Sequence, residues 1–263
     1  MALITFMSDF GLTDHYVAAV KAKILRVNPS LQIIDISHEI KHCDMAHGSF
    51  VLQSVFRDFH EGTVHLVAVN CLGQPGDKYL ALKLENHYFV GTDNGLLSLI
   101  SERPPQGVVD LSHFSDADGN SPVKDVLAEA AAKLASGTPL DTLGPRLQEI
   151  KRFTPRRSRA TKREISGHVL RVNHQGNLIT NISWDDFSVL SRNRKYILQF
   201  GRESLSRIRR RSNEVEDGDC FAVFNSQGLL EIGISKGNAA ELLGMRYDSV
   251  VKVLFEEPST EEN

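Results

Sequence analysis

The feature that most restricts the fold of this chain is a change of pattern near residue 150. Before it, short apolar runs alternate with amphipathic stretches of helical period; after it, only short apolar runs separated by turn residues remain. Residues 2–7 (ALITFM) form an apolar run that ends at Ser8-Asp9. Residues 14–27 (DHYVAAVKAKILRV) then place Val17, Val20, Ile24 and Val27 on one helical face and stop at Asn28-Pro29. Leu31 to Ile36 reads as a strand, Asp44 to Phe59 as a second helix, and Thr63 to Val69, Tyr79 to Leu84 and Tyr88 to Val90 as further strands. Asn94-Gly95 begins a turn into Leu96 to Ile100. Lys124 to Ser136 is a helix with Gly137 as its C-terminal cap. Such alternation predicts an α/β domain with a largely parallel sheet over residues 1–150. A basic linker is expected over 151–164. The runs GHVLRV, LITNISW, KYILQF, CFAVFN, LLEIGI and SVVKVLF then predict an antiparallel β-barrel domain over 165–263.

With 263 residues and 41% hydrophobic content, each part can bury a core without disulfides or metal. A net charge of -3 supplies no global field toward nucleic acid or membrane. Residues 151–163 hold seven basic side chains and 207–211 read RIRRR. A solvated linker is the plain reading of the first; an anion or nucleic-acid contact is the sharper one, and nucleic acid is not the expected partner. No apolar run has the length of a membrane span, and the first ten residues lack a signal-peptide pattern. Cys43, Cys71 and Cys220 have no ligand-like spacing and read as reduced thiols of a cytoplasmic protein. The histidines form neither a His-Glu-x-x-His motif nor a Cys/His cluster, so neither metal nor cofactor is expected.

Four stretches carry candidate chemistry. VNCLGQPGDKYLAL (69–82) is a Gly-Pro turn between two strands or the floor of a reaction site. In SDFGLTD, Asp9 ends the first strand, where α/β sheets bind ligands and a carboxylate can hold ribose hydroxyls; Asp14 either shares that task or caps the following helix. His38 lies in DISHEI, where a structural role is the commoner one. VNHQGNLITNI (172–182) gathers Asn173, Asn177, Thr180 and Asn181 around Gly176, amides that suit either a nucleobase edge or a turn.

Taken in order, TFMSDFGLTDHYVAAVKAKI, IIDISHEIKHCD, YFVGTDNGLLSLI, KDVLAEAAAKLASGTPLDTLG, VNHQGNLITNI and NSQGLLEIGISKGNAAELLG resemble the S-adenosylmethionine hydroxide adenosyltransferases, relatives of the fluorinase and chlorinase. The likeness runs from residue 3 to about 255. It implies an N-terminal α/β domain, a C-terminal β-barrel, and a homotrimer that binds the substrate between the N-terminal domain of one subunit and the C-terminal domain of its neighbour. It implies a small nucleoside substrate, S-adenosylmethionine, attacked at ribose C5′ by water or halide with methionine leaving. By position, Asp9 matches the family aspartate on the ribose hydroxyls, Asp14 a second acidic position, Asn177 the asparagine that reads adenine, and Ser226 a serine near the methionine carboxylate.

Other positions depart from the pattern. Asn173 stands where an aspartate meets the methionine amino group, Gln175 where an aromatic packs on adenine, and Gln227 where halogenating relatives have arginine. The hydrolases' water-activating Asp, Arg and His become Asn70, Asp77 and Pro122. An amide is no base and proline has no polar side chain. Asp77, Lys78 and Lys124 are the remaining charged groups there. The expectation is therefore a divergent S-adenosylmethionine-cleaving enzyme, with an inactive adenosyl-binding protein of the same fold as the alternative.

Overall fold

A computed structural model of the chain describes residues 3–112, 121–192 and 194–256. It divides into two compact units, Met1–Thr154 and Pro155–Asn263.

The first unit runs β1 (Leu3–Ser8), α1 (Tyr16–Val27), β2 (Gln32–Ser37), α2 (Met45–Val55), β3 (Val64–Ala68), β4 (Tyr79–Leu84), β5 (His87–Thr92), β6 (Gly107–Asp110) and α3 (Ala128–Ala135). Its sheet has the order β2-β1-β3-β5-β4-β6. The pairs β1–β2, β1–β3 and β3–β5 are parallel, while β4 is antiparallel to both neighbours, so the sheet is largely parallel as expected. The reversal at β4 comes from a two-residue hairpin in which Glu85 (φ 49°) and Asn86 (φ 64°) are both left-handed, the geometry that matches strand twist. Successive residues point to opposite faces of a strand. Phe6, Leu66 and Ala68 accordingly pack with α1 and the alanine face of α3, while Met7, Val67 and Val69 pack with Leu52 and Phe56 on the other face.

Several boundaries differ from the pattern-based reading. Helix α1 begins at Tyr16 with His15 at its N-cap and no capping side chain, so Asp14 does not cap it. Val17, Val20 and Ile24 are buried, but Val27, the last residue of the helix, is 37% exposed. Asp44 caps α2 by accepting from the His47 N–H, and Gly137 takes φ +95° after α3. The turn at Asn94-Gly95 leads into a single 3-10 turn, Leu96–Ser98.

The second unit runs β7 (Arg159–Ala160), β8 (Glu164–Val172), β9 (Leu178–Ser183), α4 (Trp184–Leu190), β10 (Tyr196–Phe200), β11 (Glu203–Leu205), β12 (Cys220–Phe224), β13 (Leu229–Ile234), α5 (Ala239–Leu242) and β14 (Val250–Phe255). All its strand pairs within the sheet are antiparallel, in the order β11-β10-β14-β8-β9-β13-β12, with β7 beside β8. The end strands β11 and β12 approach each other, giving a nearly closed barrel around Ile165, Leu178, Leu230, Ile232 and Val251. The tail 257–263 of the expected barrel domain lies outside the described residues. The basic stretch is engaged within each unit. The Lys151 N–H donates to Asp93 and that of Phe153 to Ser98 Oγ, while Arg156 pairs with Asp248. No helix among the described residues is long and apolar enough to cross a membrane.

Candidate functional site

In an open α/β sheet the strand order reverses beside β1, and ligands collect in the crevice at the carboxyl ends of the strands there. Here β1 has β2 on one side and β3 on the other. Asp9 follows β1 and Asn70 follows β3 by two residues. Asp9 Oδ2 accepts the backbone N–H of Cys43 at 2.8 Å and of Asn70 at 3.1 Å, and its side chain is only 4% exposed. Both donors sit in left-handed backbone, Cys43 at φ 57° and Asn70 at φ 51°. Asparagine tolerates that region well; cysteine does so rarely. One carboxylate oxygen thus pins two loops.

The support beneath this carboxylate is buried. Ser8 Oγ lies 2.7 Å from His38 Nδ1, and the His38 carbonyl accepts the Gly11 N–H at 2.8 Å. His38 Nε2 stands 3.1 Å from Asp35 Oδ1, an approach too oblique for a well-formed hydrogen bond, and Asp35 also holds Lys21. With Ser8 fully buried this serine–histidine–aspartate series has no access to a substrate. It ties the ends of β1 and β2 together, the structural role that the sequence reading favoured for His38.

Asn70 lines a cavity of about 390 Å³ with Asp77, Lys78, Asn94 and Lys151. Asn94 Nδ2 donates to the Val69 carbonyl at 2.8 Å and locks this loop to the end of β5, a role that its place in a tight turn did not reveal. Asp77 Oδ2 accepts the Gln74 N–H at 2.9 Å, so this carboxylate closes its own turn. Gly73 (φ +67°) abuts the Pro122 ring: an added Cβ would lie 3.0 Å from Pro122 Cγ. The fold therefore brings Asn70, the Asp77 turn and Pro122 into one neighbourhood. Lys124 lies 3.7 Å from Asp125. Burial pushes the Cys71 thiol up to about 11, which makes it an inert core sulfur. Asp14 is exposed in the β1–α1 loop.

In the second unit the organising group is Glu231, which the sequence reading did not single out. Its Oε1 accepts Asn177 Nδ2 at 2.8 Å and Asn173 Nδ2 at 3.3 Å, and its Oε2 accepts Asn225 Nδ2 at 3.4 Å. Asn173 Oδ1 in turn accepts the N–H groups of Gln175 and Asn177. Asn225 Oδ1 caps the β12–β13 turn that carries Ser226 and Gln227, both exposed. One carboxylate thus links Asn173, Asn177 and the root of the 226–227 turn. The signal available beforehand was a single charge inside the apolar run LLEIGI. Beside it, Asn177, Gln175, Phe221 and Asn238 line a cavity of about 710 Å³. Gly176 (φ +84°) lets the Asn238 side chain approach, since a Cβ there would lie 2.2 Å from its Oδ1. Glu231→Ala is expected to strand three amides and to lower stability by about 1–3 kcal/mol, read as a shift of the urea midpoint at pH 7; an unchanged midpoint would show that the network is incidental.

The comparisons with known proteins point the same way. The profile of the SAM hydroxide adenosyltransferase N-terminal domain matches residues 4–144, and that of the corresponding C-terminal domain matches residues 167–252. An (R)-S-adenosyl-L-methionine hydrolase of Thermus thermophilus is 30% identical over 97% of this chain and all of that protein. A fluorinase of Actinoplanes sp. is 27% identical over 70% of this chain and 72% of its own length. The crystal structure of an uncharacterized conserved protein from Thermotoga maritima superposes with a TM-score of 0.87 at 30% identity, covering 95% of this chain and 99% of that one. With both domain profiles in order along the chain and a full-length relative at this identity, the protein belongs to the SAM hydroxide adenosyltransferase family.

Proposed function

We propose that this chain cleaves S-adenosyl-L-methionine at the bond between sulfur and ribose C5′, with Asp9 holding the ribose hydroxyls. The observation that carries this reading is the Asp9 carboxylate, fixed by two backbone donors at the sheet's switch point, in a chain that belongs to this family. In the second unit, Asn177 reads the adenine edge, and Ser226 and Gln227 take the methionine carboxylate. Asn173 stands at the position for the methionine amino group, but its Oδ1 accepts two N–H groups and its Nδ2 meets Glu231, so its part is to position Asn177. Asp14 is a second acidic group for the ribose. The resemblance also supports a homotrimer in which these groups and Asp9 come from different subunits, checked by light scattering of the eluted protein. The three free thiols support the cytoplasm as its compartment.

The chemistry asks little of side chains. Water oxygen bonds to C5′ as the C5′–sulfur bond breaks, its electron pair stays on sulfur, and methionine leaves as a neutral thioether. No general acid is needed; the water proton passes to solvent. The site supplies alignment and desolvation. A base would add about two to four powers of ten; here Asn70 is no base, and Asp77, whose Oδ2 accepts the Gln74 N–H, stands where the family pattern has a cation. We therefore expect slow turnover. Asn70→Asp alone is expected to leave the rate within about threefold of the parent, because Pro122 and Asp77 still stand where a histidine and a cation would complete general-base catalysis. A rise of a hundredfold in that single variant would overturn this view of the loop.

The same three positions favour a second reading, a nucleoside-binding protein without turnover. Chromatography of an S-adenosylmethionine incubation, paired with calorimetric titration, separates the two. Adenosine above the buffer blank supports the enzyme; heat of binding without product supports the binding protein; neither product nor heat discards both.

A further inference from the structure

We propose that Asp9, His42 and Cys43 form a three-ligand site for a thiophilic divalent cation of the zinc class, and that an ion held there competes with a ribose for Asp9. One ligand atom from each residue lies within 4.8 Å of the other two. Cys43 Sγ stands 3.4 Å from His42 Nε2. Ligand atoms around a tetrahedral zinc are roughly 3.3–3.8 Å apart, given metal–ligand bonds of about 2.0–2.3 Å, so the sulfur–nitrogen edge already has the required length. Thiolate, imidazole and carboxylate are the donors that such an ion takes, and three protein ligands with one open position is the arrangement of an exchangeable site.

The carboxylate is oriented in advance. Both backbone donors fall on Asp9 Oδ2, which leaves Oδ1 in reserve, and hydrogen-bonded support of this kind is characteristic of metal-binding carboxylates. His42 is the adjustable arm: its side chain is 74% exposed, and since Nδ1 is the nitrogen that lies 3.6 Å from Asp9 Oδ2 while Nε2 faces the sulfur, the ring must turn for one nitrogen to meet an ion shared with both. Cys43 is held in left-handed backbone by its own N–H bond to Asp9, a conformation that cysteine adopts rarely. The sequence concealed this group, because Asp9 and Cys43 are 34 residues apart and only the fold joins them.

The competition rests on the assignment of Asp9 to the ribose; the metal site does not. The test is titration of the reduced, full-length protein with Co²⁺, read by thiolate-to-cobalt charge transfer in the near ultraviolet and by the visible bands of tetrahedral cobalt, followed by displacement with Zn²⁺. Binding of one ion per chain is expected, weakened at least about tenfold by Cys43→Ser and by His42→Ala, and unchanged by Cys220→Ser in the other unit. Circular dichroism confirms that each variant is folded. Absence of the charge-transfer band, or equal binding by Cys43→Ser, overturns the site. Zinc is further expected to weaken adenosine binding; adenosine binding that ignores saturating zinc overturns the competition alone. Absence of adenosine binding to the metal-free protein overturns the ribose assignment and the competition with it, while the cobalt spectrum still decides the metal site.

Discussion

Asp9→Asn is expected to abolish measurable binding of adenosine and of S-adenosylmethionine while leaving the fold in place. The asparagine carbonyl can take over the bonds from the Cys43 and Asn70 N–H groups that now meet Oδ2. Its amide nitrogen then faces the ligand and offers a donor where the ribose hydroxyls need an acceptor. Hydrogen bonds to a charged group contribute about 1.5–3 kcal/mol each. Losing two of them corresponds to roughly 10² to 10⁴ in affinity. Asp9→Ala should lose at least as much and should also loosen the Cys43 turn, which lowers the unfolding midpoint. Calorimetry on both variants, with circular dichroism as the control, separates ligand recognition from scaffolding. If Asp9→Asn binds adenosine as tightly as the parent, the ribose lies elsewhere.

The second large effect is on acid stability and comes from a histidine that lies outside the candidate site. His65 on β3 is fully buried, bonded to Thr5 at 2.7 Å and to His87 at 3.2 Å, and stacked on Phe89 at 4.8 Å. Burial, aided by the neighbouring His87, pushes its pKa down from 6.5 to about 3. Above pH 6.5 both the folded and unfolded states hold it neutral, and it adds no pH dependence. Below that, the unfolded chain takes up a proton that the folded chain refuses, so stability falls as pH drops from about 6.5 toward 3. By pH 4 the loss from this residue is about 3 kcal/mol on the linkage relation. His87 is shifted the same way, by burial first, and adds to the slope. His65→Phe keeps an aromatic ring among Phe56, Phe59 and Phe89. It should cost about 1–3 kcal/mol at pH 7 by stranding Thr5 and His87, yet flatten the decline between pH 6.5 and 4. Urea unfolding of parent and variant at several pH values reads both effects, and parallel pH profiles would contradict the assignment.

The two-part architecture was legible because each half repeats one period. Strands such as Tyr79–Leu84 and Leu229–Ile234 coincide with the apolar runs that announced them. Strand β6, at four residues, and β11, at three, carry too few side chains to show a period. Helix α1 started two residues later than its pattern, because the loop after β1 holds Asp14 in solvent rather than at a cap. The candidate site was legible where it depends on strand ends: Asp9 and Asn70 emerge side by side because β1 and β3 are neighbours. It was hidden where it depends on tertiary bonds. Glu231 gathers Asn173 and Asn177 from more than fifty residues away, and Asn94 fixes the Asn70 loop from 25 residues away. The stretch from Val69 to Leu82 contains a turn closed by Asp77 on Gln74, and residues of it line the 390 Å³ cavity.

Incubation of S-adenosylmethionine with the purified protein in oxygen-18 water tests the central claim most directly, with the adenosine isolated and its 5′-oxygen examined by mass spectrometry. Displacement by water at C5′ predicts adenosine carrying oxygen-18 at that position, formed in step with methionine and absent with Asp9→Asn. Tight binding of S-adenosylmethionine with no adenosine above the blank would contradict cleavage and leave a nucleoside-binding protein.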